Sequence, residues 1–194
     1  MSTSFTLNRL ASRLKTETAS QHEYMHQLME KAQVFKDVAH YAKFTLSQYY
    51  FQKNVEYLFQ HSKVAALISD LDIRGRSQAA YLDLQDLQIE PESLTLVTET
   101  IGFPEALGWI YVSEGSTLGA AFLFKQAQQS LGFSADFAAR NLAAYPEGRA
   151  KVWKHFIEEL DQADFTQDEQ DRIIYAAQQA FDYFGALLKD IHST

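Results

Sequence analysis

Apolar residues recur every three or four positions along most of this chain of 194 residues, which is the spacing of amphipathic helices. Neither an Asn-Gly or Asp-Gly hairpin turn nor an alternating strand pattern is present. The pattern predicts helices over 6–31 (one helix or two segments), 38–62, 75–88, a short stretch from about 92, 106–126, 134–143, 147–162 and 166–189. We therefore expect an all-α protein with a single domain over residues 1–194 and its core at about 6–190.

Residue types at the ends of these segments support the boundaries. Pro91, Pro104 and Pro146 stand where the helical pattern pauses. Pro104 suits the first turn of the segment that follows it, because a proline there gives up no helical hydrogen bond. The run Thr166-Gln-Asp-Glu169 is a capping-box sequence and predicts the start of the last helix.

Composition argues against several classes of protein. The net charge of −8 disfavours binding to nucleic acid or to an anionic membrane surface, since both need a cationic face. The absence of cysteine excludes disulfides, cysteine-ligated zinc, iron–sulfur clusters and a thiol nucleophile. No apolar run has the length of a signal peptide or of a membrane span. We expect a cytoplasmic protein and take a monomer as the default.

The segment 106–126 is unusual for a helix because it contains Gly108, Gly115 and Gly119, three of the eight glycines in the chain. A glycine inside a helix costs about 0.8–1 kcal/mol relative to alanine. Gly115 and Gly119 are four residues apart, so they share one helix face and expose bare backbone there. This cost favours either tight packing of another helix or close approach of a large, flat ligand.

Two histidines, His22 and His26, lie one turn apart on the first predicted helix. With Glu23 between them they match H-E-x-x-H, which makes a zinc hydrolase one hypothesis, although the further glycine and histidine of metzincins do not follow. A second hypothesis is that one neutral imidazole ligates a haem iron and that the glycine-bearing helix forms the opposite wall. A third is that both are ordinary helix residues. The residues alone leave these three open.

Four segments resemble, in order, the landmarks of the bacterial haem oxygenases. They are LKTETASQHEYMHQLM for the proximal helix, GWIYVSEGSTLGAAFLFK for the distal helix, and RNLAAYPEGRAKVWKHF and AAQQAFDYFGALL for the third and fourth landmarks. The resemblance covers roughly residues 10 to 189 and is most specific at the distal helix. It is closest to the compact branch that degrades haem for iron acquisition.

The resemblance implies a single all-α domain with haem held between a proximal and a distal helix. Haem b is then both cofactor and substrate. Dioxygen, with electrons from a ferredoxin or a flavoprotein reductase, opens the porphyrin at a meso carbon and releases biliverdin, carbon monoxide and ferrous iron. Which meso carbon is cut, which protein donates the electrons, and whether the product serves iron supply or bilin supply do not follow from the sequence.

The resemblance also implies roles for individual residues. His22, rather than His26, matches the axial ligand of the haem iron, and Gly115 and Gly119 match the distal glycines that crowd the bound oxygen. The residues matched to propionate binding and to the haem lining are Lys15, Tyr111, Ser116 and Phe181. Those matched to a distal proton-delivering network are Gln48, Gln52, Arg76 and Thr117. Gln52 and Thr117 depart from the histidine and asparagine that can occur at those two positions.

Other functions remain possible at this stage. A haem carrier or sensor would share the haem site, although a pure carrier does not need a backbone-lined oxygen site. A helical interaction module would bind no haem. The basic residues Arg140, Arg149, Lys151 and Lys154 are either a solvated face or a docking patch for an acidic electron donor.

Overall fold

The structure, a computed structural model, describes residues 9–145 and 147–193. Eight α-helices make up most of these residues. Two isolated β-bridges within 134–138 are the sole β-structure of these residues. The prediction of an all-α fold is therefore confirmed. The helices are α1 (Leu10–Glu17), α2 (Ala19–Ala32), α3 (Val38–Tyr57), α4 (Ser62–Leu67), α5 (Ser77–Asp86), α6 (Ala106–Leu131), α7 (Arg149–Gln162) and α8 (Gln167–Ser193).

The first predicted helix is a pair of helices divided at Thr18. The Thr18 backbone N–H and hydroxyl both donate to the carbonyl of Leu14, so the turn closes α1 before α2 begins. At the start of α8, the Thr166 amide donates to the Glu169 carboxylate, and the Glu169 amide donates to the Thr166 hydroxyl. This is the predicted capping box. Residues 6–8 and Pro146, which the sequence placed at helix starts, lie outside the described residues.

The helix expected from about residue 92 is absent, and that prediction was wrong. The chain there runs along α3 instead: the Val97 amide donates to the Asn54 side chain, and the Thr98 hydroxyl donates to the Asn54 carbonyl. Pro104 also lies two residues before α6 rather than in its first turn.

The α-helix predicted over 134–143 is likewise absent. A short 3-10 turn over Asn141–Ala143 stands in its place. The amides of Arg140 and Asn141 donate to the Asp83 carboxylate of α5, and the Ala138 amide donates to Asp86. These long-range bonds satisfy the backbone without a helix, which local periodicity could not predict.

α8 is the central helix, and α2, α3 and α6 all pack against it. Two glycines permit this close packing. A Cβ on Gly108 of α6 would overlap the α8 backbone at Ile173 and Ala177, and a Cβ on Gly185 of α8 would stand 3.1 Å from Leu28 of α2. The buried side chains form two clusters, one around α6, α7 and α8 and one around α2, α3 and residues 133–142. No described helix is both long and apolar enough to cross a membrane.

Candidate haem site between α2 and α6

The predicted axial ligand lies on α2, at the contact between this helix and α8. The imidazole of His22 is exposed, and its edge faces the ring of Phe181 on α8, with the ring centroids 6.2 Å apart and the planes perpendicular. Met25 and Leu28, on the buried face of the same helix, pack against Gly185. Packing therefore fixes the rotation of α2 and leaves His22 accessible at the edge of the contact.

The electrostatic surroundings of His22 favour its neutral form. Partial burial, together with the adjacent His26, lowers the pKa of His22 below its usual value, against a smaller opposing effect of Glu23. The rings of the two histidines lie 4.7 Å apart. A neutral imidazole is the form that ligates a metal, so the site fits a haem iron in its chemistry.

The three glycines of α6 serve two different purposes. Gly108 is packed directly against α8, as described above. Among the described residues, a Cβ at Gly119 would meet nothing within 4 Å, and one at Gly115 would meet only the Trp153 indole, at 3.5 Å. The hypothesis of helix packing therefore holds for Gly108 and fails for the pair Gly115 and Gly119.

Apolar side chains beside this glycine pair are exposed. Leu118 is 42% exposed and Phe122 is 64% exposed. Together with Gly115 and Gly119 they give one face of α6 that is apolar, partly free of side chains and open. Such a face is suited to a flat, largely apolar ligand.

Tyr111 lies on the same side of α6, one turn before Gly115. Burial raises its pKa to about 12, so its phenol is a hydrogen-bond donor at neutral pH. Its ring packs against Trp153 at 5.4 Å, and its hydroxyl has no hydrogen-bond partner among the described residues. Lys15 is exposed in the last turn of α1. Both side chains are thus available for carboxylate groups of a ligand.

A polar group lies on another side of α6. Arg76 donates through Nη2 to the carbonyl and hydroxyl of Ser113, both at 2.9 Å, and to the hydroxyl of Ser116 at 3.3 Å. The Ser113 hydroxyl in turn donates to Gln52. Gln48, one turn earlier on α3, accepts a hydrogen bond from Asn141. The structure therefore brings together Arg76, Ser116 and Gln52. Gln48 is not part of this group, because its hydrogen-bond partner is Asn141.

Thr117 is not brought to the glycine side. It is buried, its hydroxyl donates to the Glu114 carbonyl, and its own carbonyl accepts from Arg149. Thr117 lies two residues after Gly115, which corresponds to a rotation of about 200° around the helix axis, so Thr117 faces away from the open strip. Its place in a distal network stays a prediction.

A buried ion pair behind α6 was missed by sequence reasoning. The guanidinium of Arg74 donates to the Glu114 carboxylate at 2.5 Å, and both side chains are almost fully buried. The Tyr145 hydroxyl also donates to Glu114, and burial, followed by this carboxylate, raises the pKa of Tyr145 well above its usual value. Because Glu114 directly precedes Gly115, this cluster fixes the position of the glycine strip. No spacing pattern along the chain signals this cluster.

The basic residues singled out by the sequence do not form a single exposed patch. Arg149 donates to the carbonyls of Thr117 and Leu142, and Arg140 is paired with Asp83 and Asp86. Lys151 and Lys154 remain at the surface. Two of the four cations therefore also stabilise the fold, and the docking of an electron donor at these residues stays a prediction.

The zinc hypothesis gains no support from the structure. Within the described residues, the one group of three potential metal ligands is Asp70, His155 and Glu159, far along the chain from the H-E-x-x-H motif. His22 and His26 thus have no described third ligand, whereas catalytic zinc sites use three.

Comparisons with known proteins agree with this geometry. The family model described as heme oxygenase matches residues 8–190. The chain is 39% identical over 184 residues to heme oxygenase PigA of Pseudomonas aeruginosa, covering 94% of this chain and 92% of that protein.

Solved structures match over the same length. The structure of the NO- and CO-bound heme oxygenase from Neisseria meningitidis superposes with a TM-score of 0.89 at 34% identity, covering 95% of this chain and 92% of that one. Heme oxygenase 2 of Chlamydomonas reinhardtii, at 17% identity and a TM-score of 0.78, shares the fold over 93% of this chain and 96% of its own. The protein described here belongs to the heme oxygenase family, whose enzymes cleave the porphyrin ring of haem oxidatively to biliverdin.

Proposed function

We propose that His22 is the axial ligand of the haem iron and that α2 and α6 form the two walls of the haem site. The support is the accessible imidazole with a lowered pKa on α2. The ring of Phe181 lies perpendicular to the imidazole, with the two centroids 6.2 Å apart. Phe181 would also line the haem on this side.

The observation that carries the proposal is the open space over Gly119 and, except for one indole ring, over Gly115. With no Cβ at either position, the backbone of α6 can approach whatever lies on the iron. Haem, when bound, supplies the iron at which dioxygen is reduced. The glycine strip provides no acid or base side chain next to it and restricts the space by backbone alone.

The propionates are assigned to Lys15 and Tyr111. A lysine ammonium and a phenol are both donors, and a hydrogen bond to a charged group contributes about 1.5–3 kcal/mol. These two contacts would set the rotation of the porphyrin in its plane and therefore the meso carbon that is cut. Ser116, beside the glycine pair, is assigned to the edge of the same site.

The polar residues behind α6 would supply protons to the oxygen site. Arg76, Gln52 and Ser113 form a hydrogen-bonded chain that ends at Ser116, next to Gly115. Gln48, which accepts a hydrogen bond from Asn141, is assigned to the same network without a direct bond to this chain. Thr117 can take part only through its backbone or after a change of rotamer, since its hydroxyl is bonded to Glu114.

The remaining requirements are external. The reaction consumes dioxygen and electrons, which a ferredoxin or a flavin-dependent reductase would deliver to a cytoplasmic, monomeric enzyme. The iron released from haem b would serve iron acquisition. Lys151 and Lys154 are the exposed cations left for contact with an acidic donor, although Lys154 lies 3.5 Å from Glu158.

The test is a titration with hemin followed by a chemical reductant in air. We expect a sharp Soret band at one equivalent, which then decays into the spectrum of biliverdin. His22→Ala should broaden the band and stop the decay, whereas His26→Ala, one turn away on the same helix, should leave both unchanged. A sharp, unchanged Soret band in His22→Ala would contradict the ligand assignment. A stable band that never decays in the wild type would make the protein a haem carrier.

A further inference from the structure

The indole of Trp153 on α7 lies against one end of the glycine strip of α6. Its six-membered ring is 3.5 Å (Cη2) and 3.6 Å (Cζ3) from the place that a Cβ on Gly115 would take. No atom of the described chain outside α6 lies within 4 Å of the corresponding place on Gly119. The strip is therefore closed at Gly115 and open at Gly119, one helical turn later.

Tyr111 extends the closed end of the strip. Its ring packs against the same indole, with the ring centroids 5.4 Å apart and the planes at 53°. Tyr111 and Gly115 are four residues apart and share one face of α6. Trp153 thus contacts two successive turns of this face, which is aromatic at Tyr111 and bare at Gly119.

The protein core holds the indole in place from behind. Trp153 packs against Phe156, with the ring centroids 5.9 Å apart, and Phe156 is fully buried. The guanidinium of Arg74, which is also fully buried, lies 5.2 Å from the centroid of the Phe156 ring. A side chain with packed neighbours on two sides changes rotamer only if those neighbours move, so the indole is a fixed wall.

Packing alone does not explain the size of this side chain. The atoms of Trp153 that lie nearest to Gly115 are at the far end of the indole, and they meet a residue that has no side chain. A shorter phenylalanine ring could still pack against Tyr111 and Phe156, but it would not reach Gly115. The far end of the indole therefore limits the space over the strip and adds little to the core.

We propose that Trp153 is a specificity-determining residue of the ring cleavage, because its indole closes one end of the oxygen site and leaves space only toward Gly119. This inference rests on the haem site proposed above. With haem between α2 and α6, Trp153 would exclude dioxygen from the Tyr111 end of the strip and leave it room to lean toward Gly119. The wall would thereby select the meso carbon that the oxygen can reach.

The first test measures the space over the strip and does not depend on turnover. The ferric haem complex is titrated with imidazole, which is planar and bulky, and with cyanide, which is small and linear. The ratio of the two affinities reports steric hindrance, because a change at the iron itself affects both ligands. In Trp153→Phe we expect imidazole to bind about tenfold more tightly, the usual effect of removing a few atoms from a pocket wall, and cyanide to bind as in the wild type.

Two further variants complete this test. Trp153→Leu removes the aromatic ring altogether and should raise the affinity for imidazole further, so either of the two Trp153 variants is sufficient if the other fails to fold. Trp109→Phe is the matched control, because it replaces the other tryptophan of the chain, which packs against Phe51 and Tyr183. It should change neither affinity. Melting temperatures identify any variant that is not folded.

The second test identifies the biliverdin isomers that form with a chemical reductant in air. Trp153→Phe should change the proportions of the isomers, because dioxygen then gains access to the Tyr111 end of the strip. Trp109→Phe should give the isomers of the wild type.

The outcomes separate this inference from the haem site on which it rests. Absence of a defined Soret band in the wild type would overturn both. A defined band with an unchanged ratio of imidazole to cyanide affinity in the folded Trp153 variants would overturn the role of Trp153 and leave the haem site intact. A raised ratio with unchanged isomers would overturn the role in specificity. A raised ratio together with altered isomers, both absent from Trp109→Phe, would support the proposal.

Discussion

The backbone carbonyl of Ile173 on α8 occupies the space that a side chain on Gly108 of α6 would need. The two longest helices of the described chain therefore touch backbone to backbone at this point. Two turns later, α6 has a glycine pair that no backbone of the described residues approaches, and only the Trp153 indole of α7 lies near Gly115. One helix thus carries a glycine required for packing and two glycines that packing does not require.

Gly108→Ala should destabilise the protein. The added methyl group overlaps the backbone at Ile173 and Ala177, and backbone cannot move aside as a side-chain end can. We expect a loss of about 2–4 kcal/mol in the free energy of unfolding, measured by urea denaturation. Stability equal to that of the wild type would mean that α6 and α8 lie farther apart than described.

Gly119→Ala should have the opposite effect on stability. No atom of the described chain lies within 4 Å of the added Cβ, and alanine is the better helix former by about 0.8–1 kcal/mol. The variant should therefore unfold at the same or a higher denaturant concentration. Hemin turnover should nevertheless slow, because the methyl group enters the proposed oxygen site. Unchanged turnover in a stable variant would remove Gly119 from that site.

Arg74→Met should cost about 3–5 kcal/mol, because it leaves the Glu114 carboxylate buried with only the Tyr145 hydroxyl as partner and also removes the two bonds from Arg74 to Asp70. Arg74→Met combined with Glu114→Gln should cost less than the sum of the two single changes, since the glutamine still accepts from Tyr145 without a charge. Urea unfolding of all four proteins gives the coupling. Additive effects would show that the pair is not coupled.

Acid sensitivity should arise partly at the start of α8. Hydrogen bonds from the Thr166 amide and hydroxyl lower the pKa of Glu169 below its ordinary 4.5. A carboxylate with a lowered pKa stabilises the fold above about pH 4.5, and this contribution is lost as the pH falls through the folded-state value. The stability difference between wild type and Glu169→Gln should therefore shrink on acidification. Thr166→Ala should cost about 1 kcal/mol at neutral pH.

Reversal of the surface cations tests the docking of an electron donor. Lys151→Glu with Lys154→Glu should slow turnover that is driven by a reductase, most strongly at low salt, because long-range attraction is screened by ions. Lys125→Glu on α6 is the matched control for a change of surface charge. Turnover with a chemical reductant should be unaffected in all of them. An unchanged reductase rate would place docking elsewhere.

Much of the fold was predictable because its signals are local. The 3.6-residue period gives the long helices, and the Thr166–Glu169 capping box gives the start of α8, since both depend on residues within a few positions of one another. The resemblance to haem oxygenases predicted the family, which the comparisons confirm.

Helical periodicity gave wrong predictions for segments whose backbone amides bond to residues far away in the sequence. The segment 134–143 is held by Asp83 and Asp86, more than fifty positions earlier, and the chain near Val97 is held by Asn54. No periodicity within these segments records such bonds. The same limit applies to the basic residues: Arg149 looks like a surface charge in the sequence but bonds to carbonyls inside the protein.

The sequence by itself determined an all-α chain, the helix that carries His22, and the unusual glycines of α6. Only the tertiary structure decided which of these glycines is needed for helix packing and which are not, because that depends on the atoms that face the glycine. It also decided that Arg74 has a buried carboxylate partner while Arg76, two residues later, has none among the described residues. Charge balance is a property of three-dimensional neighbours, and the order of residues along the chain does not contain it.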